Sequence, residues 1–371
     1  MKYFIISGEA SGDLHGANLI KQILRKDSAS KVYCWGGNAM QQSGANFLKH
    51  YNEYSVMGFV EVLLNVKKIK QAINQCKQDI LNHKPDVVIL IDFPGFNLRI
   101  AEFCKKHHIK VVYYIAPKVW AWKESRVKKL ELYVDLLLII FPFERDYFSK
   151  FKINYEYVGN PLLDEIATFR KNPNFRLENQ LDARPIIALL PGSRKQEIKR
   201  MMPVMNELSR HLPAYQFVVA GAPAVSTDYY NKYLVDECKL ITNQTYQLLA
   251  HAHAAIVCSG TATLETALFN VPQVCGYRAN TLSYFIAKML VKIKYISLVN
   301  LCMNKSVITE LIQFDWNFGR VHDELKRVLD ESTERMQMLN NYALLKEALG
   351  GSGASDKSAD AITRLISADK H

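Results

Sequence analysis

Residues 1–16 read MKYFIISGEASGDLHG, and the first half of that stretch decides the fold. Tyr3–Ser7 is a short, almost wholly apolar run that stops at Gly8, and a helical pattern follows over Gly16–Arg25. A strand without polar alternation is buried on both faces, as in parallel sheets covered by helices. The unit recurs along the chain. Strands are expected at Val32–Trp35, Val87–Asp92, Val111–Ile115, Leu136–Ile140, Ile186–Leu190, Gln216–Ala220, Ala255–Cys258 and Val274–Gly276. Helices such as Val66–Asn82, Arg99–His107 and Arg200–His211 fall between them, which specifies an α/β fold. The polar stretch Phe169–Arg184, with Pro173 inside it, breaks the rhythm, and a strand resumes after Pro185. It is expected to link two α/β domains of similar size, residues 1–170 and 183–345. Residues 350–371 read as a Gly/Ser loop and a short helix.

At 371 residues the chain is long enough for about two to three domains. Apolar residues make up 49% and charged residues 22%, an ordinary globular balance rather than a disordered one. Lys and Arg number 47 against 36 Asp and Glu, leaving +11 and a pI near 9.1. That excess admits nucleic acid, an anionic membrane surface or phosphorylated small molecules. It leans N-terminal: residues 1–182 carry 26 basic and 19 acidic side chains, the remainder 21 and 17. No apolar run is long enough for a transmembrane helix, and the first is too short for a signal-peptide core. The 7 cysteines are scattered without a C-x-x-C, which fits reduced thiols rather than a zinc site or a disulfide framework.

Five segments could carry chemistry. Gly8–Gly16 (GEASGDLHG) joins strand to helix, where glycines let a ligand approach and helix N–H groups are unpaired. It matches neither a dinucleotide fingerprint nor a P-loop, and it is equally a tight turn with Asp13 as cap. Asp92, at the end of Val87–Asp92, stands where open α/β sheets place ligands, and burial there would move its pKa towards general-base duty. A helix-capping role before Pro94 is the alternative. Trp120 and Trp122, followed by Lys123, Arg126, Lys128 and Lys129, combine aromatic faces with cations, as sugar, base and phosphate sites do. Pro191-Gly192-Ser193-Arg194 offers backbone donors and a guanidinium that can clamp a diphosphate. Ser259-Gly260-Thr261-Ala262-Thr263 repeats the arrangement, with Glu265 a turn later, placed either to hold a ribose or to complete a capping box. His251 and His253 lack acidic companions and read as packing, and no D-x-D occurs to hold a metal-bound nucleotide sugar. Finally, Phe59–Ile73 groups Phe59, Val62, Leu63, Val66, Ile69 and Ile73 on one helical face. Val60 and Leu64 fall on the other, beside Lys67 and Lys68, as for shallow insertion into an anionic bilayer or for an unseen helix interface.

In chain order, GEASGD (8–13), MGFVEVL (57–63), KPDVV with IDFPGFN (84–97), PKVWAWKESRVKK (117–129) and FPFE (141–144) resemble the lipid-A-disaccharide synthase family. The likeness continues through VGNPLLDE (158–165), LLPGSR (189–194), SGTATLETAL (259–268), GYR (276–278) and YISLVNL (295–301). It implies two Rossmann-like domains facing a central cleft, the GT-B type, with an N-terminal acceptor and membrane-facing domain and a C-terminal donor domain. The implied reaction joins UDP-2,3-diacylglucosamine to 2,3-diacylglucosamine 1-phosphate, releases UDP and gives an inverted β-1,6 linkage. Asp92 matches the family's proposed base. Gly192, Ser193, Arg194, Ser259, Gly260, Thr261, Thr263, Glu265 and Asn300 would meet the donor. Glu9, Ser11, Asp13, Trp120 and Trp122 would meet the acceptor, and Val60, Leu64, Lys67 and Lys68 the membrane.

No metal, cofactor or nucleic acid is expected, the oligomeric state is left open, and the location is cytoplasmic at the inner membrane. Two positions depart from the family pattern: Gly95 stands where many relatives carry Asp, and Asn160 where others carry His. An N-acetylglucosaminyltransferase acting on a polyprenyl-diphosphate lipid and a UDP-N-acetylglucosamine 2-epimerase are the same-fold alternatives.

Overall fold

A computed structural model describes residues 1–55, 65–120, 124–280, 284 and 294–368. Val60, Leu64 and Trp122 lie outside the described residues. The chain divides into two compact units, residues 1–164 with 350–371, and residues 165–349.

The first unit is built on seven parallel strands: β1 (Lys2–Ser7), β2 (Lys31–Gly36), β3 (Asn46–His50), β4 (Val87–Ile91), β5 (Lys110–Tyr114), β6 (Leu136–Ile139) and β7 (Tyr155–Tyr157). Their order is β3-β2-β1-β4-β5-β6-β7. Helices α1 (Ala10–Lys26), α2 (Val66–His83), α3 (Pro94–Lys106) and α4 (Phe143–Phe148) are among those that cover them. Residues Val87–Ile91 are all buried, so the central strand has no face left for water. Pro94 opens α3 at a position where its missing N–H costs nothing.

The second unit repeats the plan with β8 (Ile186–Leu190), β9 (Gln216–Gly221), β10 (Cys238–Thr242), β11 (Ala252–Cys258), β12 (Gln273–Tyr277) and β13 (Thr309–Ile312), ordered β10-β9-β8-β11-β12-β13. Helix α5 (Lys195–His211) follows β8 and α6 (Thr261–Leu268) follows β11. The last helix, α7 (Ala354–Ser367), returns to the first unit and packs on α1, where Asp356 pairs with Arg25 and Lys26 at 2.7 and 2.9 Å. Its first turn is capped by Asp164, which accepts from the backbone N–H groups of Gly353, Ala354 and Ser355. The polar stretch around Pro173 belongs to the second unit, because Phe175 is fully buried there and the Asn172 N–H binds Gln247 at 2.9 Å.

This topology fixes where ligands can bind. In each sheet the chain moves outward from one central strand and then resumes on its other side. The crevice beyond the carboxyl ends at that reversal is the usual ligand site of open α/β sheets. The reversal lies between β1 and β4 in the first sheet and between β8 and β11 in the second.

Candidate active site

The first reversal brings together two of the sequence segments. β1 runs into Gly8-Glu9, and β4 runs into Asp92-Phe93. The ring of Phe93 lies so close over Gly8 that a Cβ there would collide with it, which is why this turn needs glycine. Asp92 and Phe93 are consecutive left-handed residues, with φ of 41° and 48°. Such conformations cost non-glycine residues free energy, and the surroundings hold them. The Asn97 amide donates to the Ile91 and Asp92 carbonyls at 3.1 and 2.8 Å, and the Tyr113 hydroxyl donates to the Asp92 carbonyl at 2.5 Å. Burial pushes the Asp92 carboxyl up to about 6; nearby Glu9 adds to the rise, while Lys118, the Phe93 N–H and Arg126 oppose it. A carboxyl with that value is mostly ionised at neutral pH yet basic enough to take a proton.

The companions divide into two groups. Glu9 is half-buried and accepts from the Ser11 hydroxyl at 2.8 Å, so these two sit at the ligand end of β1. Asp13 is buried, and its carboxylate accepts from the N–H groups of Gly37, Ala39 and Met40 at 2.7, 3.0 and 3.1 Å. Both its oxygens are thereby taken up in ordering the turn after β2. Trp120 follows β5, and its indole N–H donates to Glu144 at 3.3 Å. Glu144, which sequence reasoning passed over, is 1% exposed and accepts from the N–H groups of Ile140 and Phe141 at 3.1 and 3.0 Å. Burial pushes its carboxyl up to about 7 against those hydrogen bonds, and ionised Asp92 raises it further.

At the second reversal Gly192 adopts φ 109°, a conformation that favours glycine. The Glu197 carboxylate folds beneath it and accepts from the N–H groups of Ser193 and Arg194 at 3.0 and 3.2 Å. The same carboxylate pairs with the Arg194 guanidinium at 3.1 Å, yet that side chain stays 72% exposed. The backbone donors of this loop are therefore occupied from within, and its outward-facing group is the guanidinium. The start of α6 differs. Gly260 has open space around it, while the hydroxyls of Ser259 and Thr263 donate to the carbonyls of Ile296 and Gly260, each at 2.8 Å. No side chain caps the start of α6 at Gly260, a setting that favours anions, although the Thr263 N–H is turned back to the Gly260 carbonyl at 3.3 Å. Glu265 lies on this helix, its carboxyl pushed up to about 7 by burial, with the Tyr246 hydroxyl 3.5 Å away. The Asn300 amide accepts from Val307 and Ile308 N–H at 2.8 and 3.0 Å and donates to the Ile308 carbonyl and Glu310, both at 2.9 Å. All its hydrogen-bonding capacity is met inside the unit. Among the described residues, no three His, Cys, Asp or Glu side chains gather as a metal site would require. His251 stacks on Phe175, and His253 bonds the Leu329 carbonyl at 2.7 Å.

Lys67 and Lys68 are exposed on the first turn of α2. Beside them Val66, Ile69, Ile73 and Phe103 floor a groove of about 490 Å³ between α2 and α3, edged by Lys70, Lys77, Arg99 and Lys106 and by Glu102, which pairs with Lys106 at 2.9 Å. No described helix is long and apolar enough to cross a membrane.

The sequence profile of the family described as "Lipid-A-disaccharide synthetase" matches residues 3–362. A lipid-A-disaccharide synthase of Geobacter sulfurreducens is 34% identical over 98% of this chain and 97% of its own length. One of Coxiella burnetii is 34% identical over 98% of both chains. Among solved structures, UDP-GlcNAc 2-epimerase from Neisseria meningitidis bound to UDP-GlcNAc superposes with a TM-score of 0.69 at 13% identity, covering 98% of this chain and all 100% of the other. The glycotransferase of kitacinnamycin does so at 0.67 and 11%, over 98% and 99%. At those identities the structural likeness establishes the fold, a GT-B-type pair of α/β units. The family match, carried over nearly the whole chain, establishes more: the chain belongs to the lipid-A-disaccharide synthetase family of glycosyltransferases.

Proposed function

We propose that the chain transfers an acylated glucosamine from UDP-2,3-diacylglucosamine to the 6-hydroxyl of 2,3-diacylglucosamine 1-phosphate, giving a β-1,6 disaccharide 1-phosphate and UDP. The observation that carries this reading is Asp92, a carboxyl held near pKa 6 at the strand reversal of the first unit. Ionised at neutral pH, it accepts the proton of the 6-hydroxyl as that oxygen bonds to the anomeric carbon. The bond to UDP breaks on the opposite face, which inverts the configuration. Arg194 and the uncapped start of α6 at Gly260–Thr261 offset the charge of the departing diphosphate, and Glu265 holds the ribose hydroxyls. Glu9, Ser11 and Trp120 contact the acceptor sugar. Asp13, Asn300 and the backbone of Gly192-Ser193 shape their loops through the bonds described above.

The exposed Val66, Lys67 and Lys68 and the cation-edged groove support peripheral contact with the anionic cytoplasmic face of the inner membrane. Incubating purified protein with the donor and acceptor, and measuring disaccharide and UDP, tests the reaction. Asp92→Asn should lower turnover at least 100-fold, the low end of what a general base contributes. Undiminished activity in the variant refutes the role of Asp92. Interconversion of UDP-N-acetylglucosamine and its 2-epimer in place of transfer overturns the reading. For the membrane contact, Val66→Asp should reduce sedimentation with anionic liposomes; unchanged sedimentation removes this surface from the account.

A further inference from the structure

Three neighbouring parallel strands end side by side in the first unit. Asp92 follows β4, the loop carrying Lys118 and Trp120 follows β5, and Glu144 follows β6. Only Asp92 and Trp120 have a part in the transfer as proposed so far. Glu144 is almost completely buried, although closing a turn at a helix start does not require a buried carboxylate. Removing a carboxylate from water is costly unless hydrogen bonds replace the water, and here three N–H donors do so. One oxygen takes both backbone N–H groups at the end of β6, which leaves the other for the Trp120 indole on the next strand's loop. The same short helix grips that loop twice more. Phe143 meets the Trp120 ring edge-on at 4.8 Å and 83°, and the Tyr147 hydroxyl donates to the Val119 carbonyl at 3.4 Å. Phe141 stacks behind Phe143 at 5.5 Å. Trp120 is therefore clamped in one orientation while remaining half-buried, as a sugar-stacking ring must be. Lys118, two residues earlier, is close enough to Asp92 to stabilise its charge.

We propose that Glu144 is a positioning residue for the transfer: its buried carboxylate ties the Trp120 indole to the end of β6 and so fixes the β5 loop, with Lys118, beside Asp92 for the incoming acceptor. The inference rests on the reading of Asp92 as base and Trp120 as an acceptor contact. It assigns no contact with substrate to Glu144 itself.

A double-mutant cycle tests it. Glu144→Gln can still accept the β6 N–H groups but turns an amide NH₂ towards the indole; Trp120→Phe keeps the ring packing and lacks the indole N–H. Each single change should lower kcat/KM for the acceptor by about tenfold or more, as loss of a hydrogen bond to a charged group does. The double variant should be no worse than the weaker single one, and UDP affinity should stay within about twofold of the parent. Losses that multiply in the double variant, a parallel fall in UDP affinity, or a Trp120→Phe protein with parental kcat/KM would each overturn the proposal. Should Glu144→Gln fail to fold, Trp120→Phe carries the kinetic test from the half-buried end of the link. A parent protein that makes no product with this donor and acceptor would count against the proposed reaction and not against the link. The link is then read by amide hydrogen exchange across 116–120. Exchange there must quicken in both single variants while 186–194 is unchanged, and unaltered exchange refutes it.

Discussion

Replacing Asp92 by Asn should make the protein more stable and nearly inactive, and the gain should depend on pH in a way the structure specifies. Burial and Glu9 raise the Asp92 carboxyl from 3.8 to about 6. The folded state therefore holds this proton more tightly than the unfolded chain does. Well below pH 3.8 both states are protonated and the residue is neutral to stability. Between about pH 4 and 6 the unfolded chain releases this proton while the folded protein keeps it, so stability falls across that window and levels off above about pH 7. The ceiling on that loss is about 3 kcal/mol, and partial exposure of the residue reduces it to about 2. Asn removes the charge, keeps an oxygen for the Phe93 N–H, and tolerates the left-handed backbone at φ 41°. For a unit of this size the melting temperature should rise by about 4–8 °C at pH 8 and by much less at pH 4. Thermal melts of parent and variant at pH 4, 6 and 8, read beside transferase activity, check this. A variant that melts lower at pH 8, or whose advantage grows towards acid, would show that Asp92 is ionised at no cost and would remove the physical basis for its role as base.

Other consequences follow from the second unit. Arg194→Lys keeps a charge on an exposed side chain but loses the planar fork, so UDP should bind about tenfold more weakly with no change in melting temperature. Gly192→Ala must fit a left-handed φ of 109° and a Cβ 2.5 Å from the Glu197 carboxylate, and should cost about 1–3 kcal/mol in urea unfolding. Glu265→Gln should weaken UDP about tenfold while leaving 2′,3′-dideoxy-UDP almost unaffected in calorimetry, since the carboxylate is assigned to the ribose hydroxyls.

What the sequence made legible follows from burial. Each of the nine expected strands is present, and the four it did not signal are β3, β7, β10 and β13, the two edges of each sheet. An edge strand is short and half-exposed: Tyr155–Tyr157 has no buried residue at all, so no apolar run marks it. Asp92 was readable because a charged residue directly after five apolar ones can only stand at a strand's end. Glu144 was not, because its meaning depends on a ring 24 positions away on another strand's loop. Glu197 follows Arg194 by three, the spacing of a capping box, but a sequence cannot show that its carboxylate would occupy the donors that Ser193 and Arg194 seemed to offer a phosphate. Likewise the helical face continuing through Ile69 and Ile73 was plain, whereas the groove beside it needs α3 to supply Phe103 and Arg99.

The two reversals are electrostatically unlike, and the difference suits the halves of the proposed reaction. Both hold a carboxyl that resists ionisation, Asp92 near 6 at the first and Glu265 near 7 at the second, but only the second adds an exposed guanidinium and a helix start with no capping side chain. A base near 6 is far too weak to ionise a free sugar hydroxyl in advance, since such a group is about as weak an acid as water. Proton transfer to Asp92 becomes favourable only as the hydroxyl oxygen bonds to carbon and turns acidic, so it must accompany bond formation. In the proposed reaction the energy to reach that point comes from the departing group, whose charge Arg194 and the start of α6 are assigned to meet. The base can therefore be modest, provided the hydroxyl is already placed at the carboxyl when the diphosphate begins to leave. In this chain that placement falls to the loop held by Glu144.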